Sequence, residues 1–321
     1  MLPVHFDDVR QASQRIQPFI RKTPVLGSDS LDAHCGFRVS LKAENLQRTS
    51  SFKLRGATNF VRSLSAADLA SGVVAFSSGN HAQAVALAAK QAGARATIVM
   101  PSDAPRVKLE GTRSHGADIV LYDRLREDRE EVAARVRSER GGVLIPPFDH
   151  PWIIAGQGTC ALELLNEEPS IDALAICLGG GGLLAGCAVA AKALNPAIRI
   201  FGVEPETAND VQRSLREGKR IAIPAPDTIA DGLRTTCVGV NNFEILQQLV
   251  EDVVTVSDQE IVETARFLLR EAHIAVEPSG AAAAAACLFG KLPSGLSHVG
   301  VTLSGGNAEP DFLRSLLSDT A

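Results

Sequence analysis

Short apolar runs alternate with longer helical segments along almost the whole chain, and this alternation constrains the fold more than any other feature. "SGVVAFSSG" reads as a short buried strand and "NHAQAVALAAKQAG" as an alanine-rich helix stopped by Gly93; "ATIVMP", "RVKLEGTRSHG" and "ADIVLY" continue strand, helix, strand. After "PPFDHP" the pattern resumes with "GQGTCALELLNE", "ALAICLGGGG", "LLAGCAVAAKAL" and "IRIFGVEP", and the last third adds "DVVTVS", "QEIVETARFLLREA", "PSGAAAAAACLFG" and "HVGVTLSGG". Upstream, "RVSLKAENL" reads as a strand and "GATNFVRSL" as a helix. Parallel strands need a crossover, which a helix supplies, so this rhythm predicts an α/β fold of mainly parallel sheets flanked by helices. A chain of 321 residues exceeds one ordinary core, and two α/β blocks with a cleft between them are expected.

In parallel α/β sheets, ligands sit at the carboxyl ends of strands. Four such ends here are rich in glycine and small polar residues: "FSSGNH", "LGGGGLLAG", "VEPETAND" and "LSGGN". Each alone reads equally as a tight turn. In "LGGGGLLAG", Gly179, Gly180, Gly181 and Gly182 leave a buried strand and open a helix at Leu183. Backbone N–H groups without side chains close readily on an anion, and the helix dipole favours its charge, so a phosphate is the natural ligand. No G-x-x-x-x-G-K-[ST] pattern is present, which excludes a P-loop NTPase.

Two cofactors compete for this loop. Gly180, Gly182 and Ala185 fit G-x-G-x-x-A, and Glu204 follows at the spacing of a ribose-binding acid, as in an NAD-dependent dehydrogenase. That reading leaves "SSFKLRG" and "SSGNH" without a role. Pyridoxal phosphate instead needs a Schiff-base lysine, a phosphate cradle, a partner for its ring nitrogen and a pocket for an amino-acid carboxylate. Lys53, the glycine run, Ser304 and "SSGNH" offer all four. Lys53 by itself, between Phe52 and Leu54, reads either as a snorkelling surface charge or as an amine buried for its chemistry. Lys42 flanks a strand and Lys108 lies in a charged helix, so both are weaker Schiff-base candidates.

Composition narrows the partners. Apolar residues make up 45% and charged residues 21%, with a net charge of -5, which gives no basic footprint for nucleic acid. The N-terminus lacks a signal-peptide pattern, and the longest apolar run is broken by Glu277, Pro278 and Gly280, so a cytoplasmic protein off the membrane is expected. The six cysteines are scattered without a C-x-x-C pair, which argues against a disulfide framework and a cysteine-bound zinc.

Taken together, "SSFKLRGA", "FSSGNHAQAVALAA", "PPFDHPWIIAGQGT", "GGGGLLAG", "TIADGLRT", "VEPSG" and "LSGGN" resemble the fold-type II pyridoxal phosphate enzymes, in order and over nearly the whole chain. The resemblance is to the threonine/serine dehydratase and serine racemase group. It implies a two-domain, tryptophan synthase beta-like fold. Residues 1–47 and 148–321 would form the large cofactor-binding domain and 48–147 the small one, with the active site between them. It implies that Lys53 forms the Schiff base, that Phe52 packs against the ring and that Asn80 hydrogen-bonds the ring 3-hydroxyl. Gly179, Gly180, Gly181, Gly182 and Leu183 would hold the phosphate, and Ser304 would face the ring nitrogen. Glu277 either lines the ring or is merely a helix-start acid beside Pro278.

The implied activity is removal of water and ammonia from a β-hydroxy amino acid, with threonine and serine as default substrates. A serine racemase, or a dehydratase for 3-hydroxyaspartate or phenylserine, would use the same site. Ser78 falls where serine racemases carry an opposite-face acid/base, or it binds the substrate carboxylate with Ser77, Asn80 and His81. Arg129 falls where serine racemase contacts its substrate, or it is a solvated helix arginine; in the cleft it would suit a second carboxylate. By the same resemblance, Glu204, the Ala208 carbonyl and Asp210 match the serine-racemase pattern for a structural divalent cation, Mg²⁺, Ca²⁺ or Mn²⁺, or they are solvated loop acids. A homodimer is implied by the family alone.

Overall fold

The computed structural model describes residues 2–77, 79–104 and 106–318. Its strands are β1 (Val25–Leu26), β2 (Arg38–Lys42), β3 (Val73–Phe76), β4 (Ala96–Pro101), β5 (Asp118–Tyr122), β6 (Val143–Leu144), β7 (Ala173–Cys177), β8 (Arg199–Pro205), β9 (Asp252–Val256) and β10 (His298–Thr302). The helices of the first half are α1 (Phe6–Ile16), α2 (Asp29–Cys35), α3 (Lys53–Arg62), α4 (Ala66–Ser71), α5 (Asn80–Ala92), α6 (Arg106–Ser114) and α7 (Arg129–Arg140). Those of the second half are α8 (Pro151–Glu167), α9 (Gly182–Leu194), α10 (Asp210–Glu217), α11 (Val240–Leu249), α12 (Asp258–Arg270), α13 (Pro278–Leu288) and α14 (Pro310–Leu317).

The strands form two sheets. One has the order β1-β2-β10-β7-β8-β9, and the other β5-β4-β3-β6. Every pairing is parallel except β1 against β2. In β3, β4, β7 and β10 every residue is buried, because helices cover both faces. The expected α/β class of parallel sheets flanked by helices is therefore what the chain adopts. The smaller sheet's core also takes in Ile16 and Ile20 near the N-terminus and Ile153 of α8, so the two halves share packing.

Three local readings are corrected. β1 and β6 span two residues each, too short to show a period, and went unread. "RVSLKAENL" is a strand only to Lys42; Glu44–Leu46 is a 3₁₀ turn. α3 starts at Lys53 rather than Gly56, because Arg55 N–H already donates to Phe52 O at 3.0 Å and closes a first turn there.

Helix α8 joins the two site-bearing helices. A Cβ on its Gly156 would lie 2.7 Å from Gly56 Cα of α3, and one on Gly158 would lie 2.5 Å from Gly186 O of α9. Only glycine allows both approaches. α3 carries Lys53 at its N-terminus and α9 carries the glycine run at its own, so α8 sets the distance between them.

Candidate active site

The chain before Lys53 is tied to the loop after β10. Ser51 bridges Gly305, Phe52 N–H donates to Ser304 O at 3.1 Å, and Gly306 N–H donates to Ser50 O at 2.8 Å. Lys53 then projects into the cleft, where its Nζ donates to Pro147 O at 2.8 Å and lies 5.2 Å from the Phe52 ring centre. No carboxylate among the described residues pairs with it. The residue keeps partial exposure through the cleft mouth, but protein closes around the amine. Burial pulls its pKa down from 10.5 to about 8, with Cys177 acting weakly the other way.

The glycine run faces this amine. Gly179, Gly180, Gly181, Gly182 and Leu183 line the cleft, and their backbone N–H groups meet no protein acceptor among the described residues. Gly181, at φ +98°, turns the chain into α9. A Cβ on Gly180 would sit 2.4 Å from the Phe148 ring, so even alanine would collide there. Asn242 Nδ2 and Gly239 N–H hold the Gly180 carbonyl at 2.7 and 3.2 Å. Thr235 adds a buried hydroxyl without a partner, 3.5 Å from where a Gly179 Cβ would be. Unpaired N–H groups at a helix N-terminus plus an orphaned hydroxyl suit a phosphate. Phe148, Asn242 and Thr235 were not singled out from the sequence. Thr235 lies within "TIADGLRT" and Phe148 within "PPFDHPWIIAGQGT", so those two were within reach of the sequence and Asn242 was not.

Ser304 lies between these groups, its Oγ donating to Ser279 O at 3.3 Å, with the Cys177 thiol beside it. Glu277 is 2% exposed and accepts from Asn80 Nδ2 at 2.5 Å, while Asn307 Nδ2 donates to Asn80 Oδ1 at 2.7 Å. Burial, then the charge of Asp231, pushes Glu277 up to about 7.

The opposite wall comes from the smaller sheet. Ser77 lines the cleft and its Oγ accepts from Gly79 N–H at 3.1 Å. Ser78 lies outside the described residues. His81 is buried, with Nε2 3.1 Å from Ile145 O, and burial lowers its pKa to about 3. A neutral ring that donates from Nε2 has no donor left, so His81 can serve an anion only through its backbone N–H in the first turn of α5. Arg129 opens α7 at the cleft mouth, its guanidinium 5.3 Å from the Phe76 ring centre. Lys108 lies in the charged helix α6 as expected, but it is 5% exposed and pairs with Asp231, which also lines the cleft.

Glu204, Ala208 and Asp210 lie outside this cleft. Glu204 is fully buried and accepts from the N–H groups of Val211 and Gln212 at 3.1 and 2.9 Å. Both its oxygens are thus taken up at the start of α10, and it does not line the cleft that the glycine run lines. Both Asp210 carboxylate oxygens are buried without partners, and burial pushes that group up to about 7. The Ala208 carbonyl accepts no hydrogen bond among the described residues. The unpartnered Asp210 carboxylate and the free Ala208 carbonyl, with the Glu204 carboxylate near them in sequence, are oxygen donors of the kind a hard cation takes; no cluster of three or more His, Cys, Asp or Glu side chains that could hold a metal occurs among the described residues.

A counterion-free lysine and a side-chain-free glycine run with unpaired N–H groups, lining one cleft, suit pyridoxal phosphate. Residues 16–305 match the family described as "Pyridoxal-phosphate dependent enzyme", and the chain belongs to that family, with the fold-type II architecture. The dehydrogenase alternative is thereby set aside. The chain is 48% identical to an L-threo-3-hydroxyaspartate ammonia-lyase of Saccharomyces cerevisiae over 318 residues, 99% of this chain and 98% of that one. It is 44% identical to a serine racemase of Schizosaccharomyces pombe, across 98% and 97% of the two chains. The solved structure of maize serine racemase superposes with a TM-score of 0.94 at 42% identity, covering 98% of this chain and 97% of that one.

Proposed function

We propose that this protein is a pyridoxal-phosphate-dependent ammonia-lyase that eliminates water from a β-hydroxy amino acid; the unsaturated amine released then takes up a water as it loses ammonia, leaving a 2-keto acid. One observation carries the reading: the Lys53 amine, without a counterion, lines the same cleft as the unpaired N–H groups of Gly179–Leu183. The cofactor, when bound, supplies the electron sink that makes the substrate's α-proton labile. Gly179–Leu183 would hold its phosphate, with the Thr235 hydroxyl beside them. Phe52 would pack against its ring, and Asn80 and Glu277 would serve the ring oxygen. Ser304 would serve the ring nitrogen and, being neutral, would not fix a proton there as an aspartate would. Lys53, with its pKa near 8, takes the α-proton at Nζ.

The substrate carboxylate is held at the start of α5 by Ser77, Asn80 and the His81 backbone. The role of Ser78, in carboxylate binding or as opposite-face acid/base, is proposed from the sequence alone. Arg129 at the cleft mouth favours a second carboxylate on the substrate, which makes 3-hydroxyaspartate the preferred member of the class. The name of the yeast relative supports the same choice. Glu204, Ala208 and Asp210 would hold a structural Mg²⁺, Ca²⁺ or Mn²⁺. Residues 48–147 would form the small domain, and 1–47 with 148–321 the large one. The protein would work as a homodimer in the cytoplasm; six unpaired cysteines fit a reducing compartment. No described helix is long and apolar enough to cross a membrane.

Keto-acid release from threonine, serine, 3-hydroxyaspartate and phenylserine, with chiral analysis of the remaining amino acid, tests the reading. Release from 3-hydroxyaspartate with the highest kcat/KM is expected. Loss of chirality in serine without keto acid would move the assignment to a racemase, and neither outcome with any substrate would sink it.

A further inference from the structure

Two residues after Lys53, Arg55 is fully buried and uses its fork on two carboxylates at once. Its Nε and Nη2 donate to Glu44 at 2.8 Å each, its Nη1 and Nη2 donate to Glu163 at 2.8 and 2.7 Å, and Nη1 also reaches Thr159 Oγ1 at 3.1 Å. Glu44 lies just past β2, while Glu163 and Thr159 lie on α8. Thr23 Oγ1 donates to Glu44 at 2.5 Å, and Lys42 Nζ pairs with Glu163 at 2.8 Å.

Stability alone does not account for this cluster. Taking four charges out of water costs several kcal/mol per ion, roughly what a well-packed apolar replacement avoids. What a bidentate arginine adds is direction: two forks fix the guanidinium in position and angle. The guanidinium belongs to the same helical turn as Lys53. The next residue is fixed too, with Gly56 N–H donating to Gln157 Oε1 at 3.2 Å. Upstream, Ser50, Ser51 and Phe52 are tied to the loop after β10. Both flanks of Lys53 are therefore fastened to the six-stranded sheet and α8, while the far half of α3, Phe60 and Val61, packs into the other core.

We propose that Arg55 is a positioning residue: through Glu44 and Glu163 it holds the first turn of α3 so that the Lys53 amine stays aligned with the glycine cradle. The inference rests on Lys53 being the reactive lysine, but its structural half can be read without cofactor.

The test is Arg55→Lys, whose single ammonium cannot fork to both carboxylates. In the cofactor-free full chain, amide exchange over residues 53–57 should rise about tenfold, while residues 82–89 of α5 stay within about twofold. In the loaded enzyme, kcat should fall about tenfold or more with KM within about twofold, since a misplaced catalytic group costs rate rather than binding. If Arg55→Lys does not fold, Glu163→Gln, which keeps shape and one acceptor, decides the matter with the same pattern at about threefold. Equal exchange increases in both segments would overturn the proposal, as a purely global loss of stability. An unchanged kcat, or a lower kcat without local exchange, would overturn it as well. An inactive wild type with the local exchange pattern intact would count against the proposed activity instead.

Discussion

Lys42 and Lys53 both bring an amine into the interior, and the protein treats them in opposite ways. Lys42 is fully buried and satisfied: its Nζ sits 2.8 Å from Glu163 Oε2 and 2.6 Å from Thr23 O. Lys53 has one neutral acceptor, Pro147 O, and its pKa falls to about 8. A buried ammonium with a carboxylate is a structural tie, whereas one without is pressed toward the neutral, nucleophilic form. The difference lies in the partner more than in depth.

Deleting each amine gives the widest separation. Lys53→Ala should cut keto-acid formation by about 10³- to 10⁴-fold and abolish the cofactor's visible adduct band, with the fold intact by circular dichroism. Lys42→Met should keep that band but lose about 3 kcal/mol in denaturant unfolding, because Glu163 loses a buried partner. A variant of Lys42 that lost the adduct while folding normally would break the comparison.

The rule holds with the sign reversed for Glu204 and Asp210, two buried carboxylates with no cationic partner among the described residues. Mg²⁺ or Ca²⁺ at about 100 times its Kd should stabilise the protein by about 2.7 kcal/mol, read as a rise in Tm that Asp210→Asn removes. No cation-dependent shift would argue that these acids are simply held protonated.

The smallest effect is the most pointed. Neutral amine is the reactive form, so a folded pKa of about 8 in place of 10.5 makes reductive methylation of Lys53 in cofactor-free protein rise through pH 8. Cys177→Asp would set a carboxylate beside Lys53 and make its surroundings resemble those of Lys42. The midpoint should then move up by about one unit. A wild-type midpoint near 10.5 would mean that the cleft does not desolvate the amine.

The residues that come together in the cleft were readable where chemistry sits in short motifs at strand ends. "SSFKLRGA", "GGGGLLAG" and "LSGGN" placed Lys53, Gly179–Gly182 and Ser304, and the strand–helix rhythm gave the sheet class. What stayed hidden depends on distant partners. Lys42 looked like a strand flank because its carboxylate, Glu163, is on α8. The burial of Lys108 in its charged helix was not legible, because its partner Asp231 is 123 residues away in the chain. Asn242 shapes the glycine loop from a neighbouring segment with no motif of its own, and Phe148, though within "PPFDHPWIIAGQGT", carries no chemistry to mark it. The dinucleotide fingerprint misled because spacing along a strand does not say which way Glu204 turns.

The contrast between the two lysines is tested most directly by adding pyridoxal phosphate to the protein, reducing with borohydride and mapping the labelled peptide. The account predicts the label on Lys53 alone. A label on Lys42, on Lys108 or on any other amine, with Lys53 unmodified, would contradict it.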